Sequence, residues 1–361
     1  MRALSRVLIA LFCWLSNPGS AGQGASSAQV TSPDERPPTV VPRADRRITL
    51  DVVVTDRSGN PVPGLQQQDF IILDNKQPQT ILSFRQASGT NGVADPPLQA
   101  IVLVDAINTP FQGVAFQRVE LEKFLQHDDG DLPVPMSLVL LPATTEGQTV
   151  VTRDGNTLAD SLDSMPFSPG ALYRLHGFNG AAERLQTSIG TLERLTSYEA
   201  TQPGRKLLIW LGPGWPLLSG PGVNLGTTGR DSFFDAVVRL STALREARIT
   251  LYNIHPQEVN DETGRAFYYE SFLKGVGSAN QVQNGNLALQ VLAVQSGGRV
   301  LNLTNDIAGS IASCLEDTKA FYTLSFDSPA ADHPNTYHNL QVKVGIPRVT
   351  ARTRTGYYAQ P

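Results

Sequence analysis

Residues 98–112, LQAIVLVDAINTPFQ, constrain the fold most. Ala100–Val104 is an unbroken apolar run of strand length that ends at a single carboxylate, Asp105, followed by Asn108, Thr109 and Pro110. Phe111, Val114, Leu121, Phe124 and Leu125 then recur at helical spacing. A wholly apolar strand with a helix behind it belongs at the buried centre of a parallel sheet. Polar residues at the carboxyl end of such a strand line the crevice where open α/β sheets bind ligands. Asp105 is therefore the leading candidate for a functional residue. The competing reading gives Asp105 or Asn108 the role of capping the following helix, since caps and ligands draw on the same residue types.

The same alternation continues down the chain. Val134–Leu141 reads as a strand, and Gln148–Thr152 as a second strand joined to it too tightly to be parallel. Helices are expected over Leu158–Leu162, Ala181–Tyr198, Phe233–Glu246, Leu287–Gln295 and Ile307–Asp317, with Asn305 as a cap. Strands are expected at Leu207–Leu211, Ile249–Ile254 and Val300–Leu303. Strands alternating with helices define a doubly wound α/β domain over residues 98–320.

On either side the period changes. Ile48, Leu50, Val52 and Val54 alternate with polar neighbours, and Phe70–Leu73 and Ile81–Arg85 follow between turns, giving a β domain over 47–90. After Phe321 the pattern is β again: Phe321–Phe326, an alternating stretch at Leu340, Val342 and Val344, and Val349–Tyr358, a segment of 321–361 expected to pack with 47–90. Neither arm can bury much core alone, so the two are expected to form one small β-sandwich, with contacts between Ile48–Val54 or Phe70–Leu73 and the strands at 340–358. Lys343, Arg348, Arg352 and Arg354 suit exposed faces of that sheet, and Asp51, Asp56, Asp69 and Asp74 suit turns and surface rather than a calcium loop.

Residues 1–21 have the form of an export signal: Arg2 and Arg6, an apolar stretch at Val7–Leu15 too short to span a bilayer, and small residues around Ala21. Residues 22–46, rich in Pro, Gly and Ser, read as a linker. No later segment is apolar and long enough to cross a membrane, so a secreted or periplasmic protein is expected. Cys314 is the one cysteine left after the signal, which leaves no internal disulfide. A formal charge of −4, from 29 basic and 33 acidic residues, gives no electrostatic case for nucleic acid.

Several phrases together resemble the von Willebrand factor type A–related proteins known as the VWFA-related acidobacterial domain family. They are ITLDVVVTDRSGNPVPGLQQQDFIILDNKQPQTILSF at 48–84, IVLVDAINTPFQ at 101–112, PGRKLLIWLGPGWP at 203–216, SGGRVLNLTNDIA at 296–308, EDTKAFYTLSF at 316–326 and VTARTRTGYYA at 349–359. The resemblance implies a type A fold, whose relatives hold a divalent cation through Asp-x-Ser-x-Ser after the first strand, a later Thr, and an Asp-Gly after the fourth strand. In this chain Asp105 matches the Asp and Thr109 stands for the second Ser, but Ile107 replaces the first, and Gly212 stands where the second acid is expected. A hard divalent cation wants about six or more oxygens, several of them charged. Asp105, Thr109 and an amide oxygen from Asn108 would hold Mg2+ or Ca2+ weakly, so the expectation is a degenerate metal site and no cofactor.

The chain has no G-x-S-x-G elbow, P-loop or H-E-x-x-H, and its histidines are scattered at 127, 176, 255, 333 and 338. The functional expectation is an exported, non-enzymatic protein-interaction or adhesion module with a protein partner in the envelope or extracellular space. Its binding surface would be the sheet top: Asp105, Asn108 and Thr109, with the loop containing Gly212, Gly214 and Trp215, and Asn253–Pro256 beside it. Trp215 reads either as an exposed anchor or as a lid packed on the core. Rival readings are a structural envelope component with no ligand at the sheet top, and a hydrolase whose residues meet only in space.

Overall fold

The structure, a computed structural model, describes residues 46–87, 97–142, 148–165, 177–217, 226–256 and 267–361. The expected export signal and all but the end of the linker lie outside the described residues. The strands before the α/β body are β1 (Arg47–Thr55), β2 (Phe70–Asp74), β3 (Gln77–Gln79) and β4 (Ser83–Ala87). The body follows as β5 (Leu98–Asp105), α1 (Phe111–Leu125), β6 (Asp131–Leu141), β7 (Thr152–Asp154), α2 (Gly155–Ser164), α3 (Gly177–Glu199) and β8 (Arg205–Leu211). It continues as α4 (Thr227–Glu246), β9 (Ile249–Pro256), α5 (Leu289–Gln295), β10 (Val300–Thr304) and α6 (Ile307–Leu315). The chain closes with β11 (Phe321–Asp327), β12 (Thr336–Val344), β13 (Thr350–Arg352) and β14 (Gly356–Ala359).

The body is a six-stranded sheet in the order β10-β9-β8-β5-β6-β7. All neighbours are parallel except β7, which pairs antiparallel with β6. β5 is central, as its unbroken apolar run demands, because both its faces are covered. Alternate residues feed two cores. Val102 and Val104 pack with Leu207 and Ile209 under Val114 and Leu121 of α1, Leu158 of α2 and Ile311 of α6. Ile101 and Leu103 pack with Leu208 and Trp210 under Leu185, Ile189 and Leu192 of α3, Leu240 of α4 and Leu292 of α5.

The remaining strands form two four-stranded antiparallel sheets, β13-β1-β11-β4 and β14-β12-β2-β3. Each mixes strands from the two ends of the chain. Arg47–Val52 pair with Asp327–Tyr322, and Val53–Thr55 with Arg352–Thr350. Phe70–Asp74 pair with Val344–Leu340. Leu50, Val52, Phe70 and Ile72 share one apolar core with Tyr322, Leu324, Leu340, Val342 and Tyr357, so the two sheets pack as a sandwich.

Several local expectations are corrected. The stretch 349–358 is not one strand: β13 and β14 are separate and lie in different sheets. The cap before α6 is Asp306, whose side chain accepts from Gly309 N, and not Asn305. Asp74 is buried, because its carboxylate receives His338 Nδ1 at 2.8 Å and the Tyr357 hydroxyl at 2.6 Å. Asp51 is withdrawn from the surface by Arg248 Nη2 at 2.6 Å and Thr323 Oγ1 at 2.8 Å. Arg354 is buried rather than on an exposed face. Arg352 is half-buried and donates to Asp317. Among the described residues no helix is long and apolar enough to cross a membrane.

Candidate functional site

β5 delivers Asp105 to the carboxyl edge of the sheet, and the turn that follows folds back onto it. Asn108 N donates to Asp105 Oδ1 at 2.9 Å, and Asn108 Nδ2 lies 3.0 Å from Oδ1 and 2.9 Å from Oδ2. This is an Asx-type turn, the local chemistry that short polar side chains offer a reversing chain. It replaces the expected cap: α1 begins after Pro110 with no side-chain cap. From neighbouring elements, Trp210 Nε1 of β8 donates to Asp105 Oδ2 at 3.0 Å, and Asn108 Nδ2 reaches Ser188 Oγ of α3 at 3.0 Å. Ser188 and Trp210 were not among the site residues expected from the sequence. Ser188 could have been found from its place on the buried face of α3, one residue before Ile189.

Asp105 is fully enclosed, and among the described residues no cation pairs with it. Burial raises its carboxyl above the ordinary value. Hydrogen bonds from the Asn108 side chain and backbone, from Trp210 and from the Ile107 backbone pull the other way. The cluster is thus one costly carboxylate held by neutral donors.

These residues do not fit a hard divalent cation as they stand. Asn108 Nδ2, a donor, lies 2.9–3.0 Å from both Asp105 oxygens and 3.0 Å from Ser188 Oγ, so an amide N–H occupies the place between three oxygens that a cation would need. Asn108 Oδ1 and Thr109 Oγ1 are enclosed and accept no hydrogen bond among the described residues, but Oδ1 is turned away from the carboxylate. A cation could enter only if the Asn108 amide turned over. Among the described residues, no group of three or more His, Cys, Asp or Glu side chains is placed to share a metal.

The loop after β8 closes the cluster instead of opening it. Gly212 has φ +138, and a Cβ there would meet Asp105 Cβ at 2.8 Å and Thr109 Oγ1 at 2.9 Å. Gly214 has φ +79, and its Cβ would meet the Leu289 side chain at 2.9 Å. Both glycines serve a left-handed backbone and close packing. They do not form a partner-facing surface. Trp215 is the lid of the two readings: it is 5 % exposed, donates Nε1 to Leu287 O at 2.9 Å and sets its ring edge against Trp210. Asn253 is enclosed, with Nδ2 donating to Trp210 O and Gly212 O. Asp105, Asn108, Thr109 and Gly212 are therefore brought together, with Asp105, Thr109, Gly212, Gly214 and Trp215 all withdrawn from solvent.

Among the described residues, two aromatic side chains at this edge face solvent. Phe111, in the first turn of α1, is 58 % exposed, and Phe178, in the first turn of α3, is 66 % exposed. Both helices begin at the carboxyl side of the sheet: α1 follows β5, and α3 runs down to β8. Phe111 shares the helical spacing of α1 but not its buried face, which is formed by Val114, Gln117, Leu121 and Leu125.

No protein-family model matches the chain. No curated protein matches it in sequence. Among solved structures it is similar to the human COPII-coat protein Sec24c, at 8 % identity and TM-score 0.32, covering 73 % of this chain and 44 % of that one. It is also similar to the pilus adhesin SpaC from Lactobacillus rhamnosus GG, at 9 % identity and TM-score 0.35, covering 83 % of this chain and 48 % of that one. The chain thus spans about half the length of these proteins or less.

Proposed function

We propose that this chain is an exported, non-enzymatic protein-interaction module built on a von Willebrand factor type A-like α/β domain, and that it binds its partner at the carboxyl edge of the sheet without a metal. The observation that carries the reading is the exposure of Phe111 and Phe178 above a closed polar cluster. Aromatic side chains are the residues most enriched at the centres of protein interfaces, and their burial on binding returns free energy at low entropic cost. The cluster beneath would act as a rigid floor: Asn108 and Trp210 hold Asp105, and Asp105 holds the turn that presents Phe111. Export is supported by the amino-terminal sequence, and the type A assignment by the phrases quoted above.

The experiment immobilises the chain and measures capture of envelope proteins from the source cell, with and without a chelator. Phe111→Ser with Phe178→Ser should abolish capture of a species that the wild-type chain retains in chelator. Ile71→Ser removes a side chain that is 48 % exposed on the sandwich, and it should leave capture intact. Equal capture by the double variant and the wild type would move the partner site elsewhere. No capture by either would favour a structural envelope role.

A further inference from the structure

A buried cation without an acceptor among the described residues lies where the sandwich meets the α/β body. Arg354, between β13 and β14, is 7 % exposed, yet among the described residues nothing accepts a hydrogen bond from its guanidinium. Its segment is pinned on both sides. Thr353 Oγ1 donates to Asp51 O at 2.8 Å, and Thr355 N to Gln295 O at 3.0 Å. The side chain is thus held inside and cannot swing out with its backbone.

The surrounding charge is unbalanced. Arg245, in the last turn of α4, and Arg248 just beyond it each have an enclosed Nε with no hydrogen-bond partner among the described residues. The acid at this junction, Asp51, is already committed to Arg248 Nη2 at 2.6 Å and Thr323 Oγ1 at 2.8 Å. Glu246 accepts from Arg245 Nη2 at 3.0 Å but is 58 % exposed, on the outside. Burial first, and Arg245 second, pull the Arg354 guanidinium down to about 9, while Asp51 and Tyr337 offset part of this. The group stays charged at neutral pH, so the cost appears as a demand for counter-charge. Arg354's own nitrogens are not among the enclosed, unpartnered atoms, so its remaining surface is at the guanidinium head.

We propose that this junction is a binding site for a compact oxyanion, with Arg354 as its principal donor and Arg245 as the second cation. Guanidinium forks bind phosphate-like oxygens through paired, charge-assisted hydrogen bonds. The site lies away from the sheet top and does not depend on the function proposed there.

The test uses the full chain and inorganic phosphate, with sulfate and acetate as further arms, each at ionic strength matched with sodium chloride. Thermal unfolding should shift upward and saturate with phosphate and with sulfate. Arg245→Met should weaken the apparent affinity by about tenfold or more, the value of one charge-assisted hydrogen bond. Arg354→Met should abolish the response. Arg57→Met, at an exposed turn, should respond as the wild type does. Should Arg354→Met fail to fold, Arg245→Met carries the test. No saturable shift beyond the chloride control, a response to acetate alone, or equal responses from wild type, Arg245→Met and Arg354→Met would each overturn the proposal.

Discussion

Two buried aspartates mark the two ends of the α/β body, and they are held in opposite ways. Asp317, beside the sandwich, receives Arg352 Nη2 and the Tyr252 hydroxyl, with Arg299 Nε at 3.9 Å. Asp105, at the sheet top, receives neutral donors, from Asn108, Trp210 and the Ile107 backbone, and among the described residues no cation. The first is an ionic clamp. It joins β9 of the body to β13 of the sandwich, and removing Asp317 leaves Arg352 with the Gly297 carbonyl and Arg299 with Ser313, neither of which carries a compensating charge. The second shapes a turn at the expense of desolvating an unpaired carboxylate. The junction therefore carries its electrostatics as a structural joint, and the sheet top holds a carboxyl with neutral donors alone, closed under exposed aromatic rings.

The contrast can be broken from either side. The largest effect is expected from Asp317→Ala, about 3–5 kcal/mol of unfolding free energy in denaturant titration, the cost of breaking a buried ion pair from one side. Asp105→Ala leaves Trp210 Nε1 and the Asn108 backbone N–H without their acceptor and should cost about 2–3 kcal/mol. If it cost as much as Asp317→Ala, the sheet top would hold charge of comparable weight. Trp215→Phe keeps an aromatic ring against Trp210 and loses the bond to Leu287 O, for about 1 kcal/mol. The smallest effect is one of slope. The Asp105 carboxyl is raised above its ordinary 3.8, so the folded chain holds a proton that the unfolded chain has released. Its contribution is fully present below that value and is lost as pH rises through the raised one. Measured against Asp105→Asn, the wild type should lose stability over this window and run parallel above it. Parallel curves throughout would mean that burial does not raise the group.

The division between body and arms was legible in the sequence because each rests on local period. β5 and β8 announce themselves as apolar runs, and α3 by Leu185, Ile189, Leu192 and Leu195 on one face, all four of which are buried. Mixing of the two arms in shared sheets followed from the smallness of each. Partners distant in sequence were not legible. Nothing near Asp74 indicates that His338, 264 residues on, will bury it. Arg354 has the setting of an exposed strand residue, yet the fold buries it. At the candidate site the grouping of Asp105, Asn108, Thr109 and Gly212 was readable. Its closure was not, because it depends on Trp210 and Ser188, whose side chains look like ordinary core and helix positions. Trp215 in its Gly/Pro loop was consistent with exposure and with burial until α5 supplied Leu289 and the segment before it supplied Leu287 O.

At the sheet top, the Asn108 amide sits where a cation would otherwise lie. Calorimetric titration of Mg2+, Mn2+ or Ca2+ into the purified full chain tests it directly. The expected result is no saturable heat at micromolar metal, unchanged in Asp105→Ala. Tight, stoichiometric binding that disappears in Asp105→Ala would contradict the account. It would mean that the Asn108 amide turns over and that the sheet top binds through a metal.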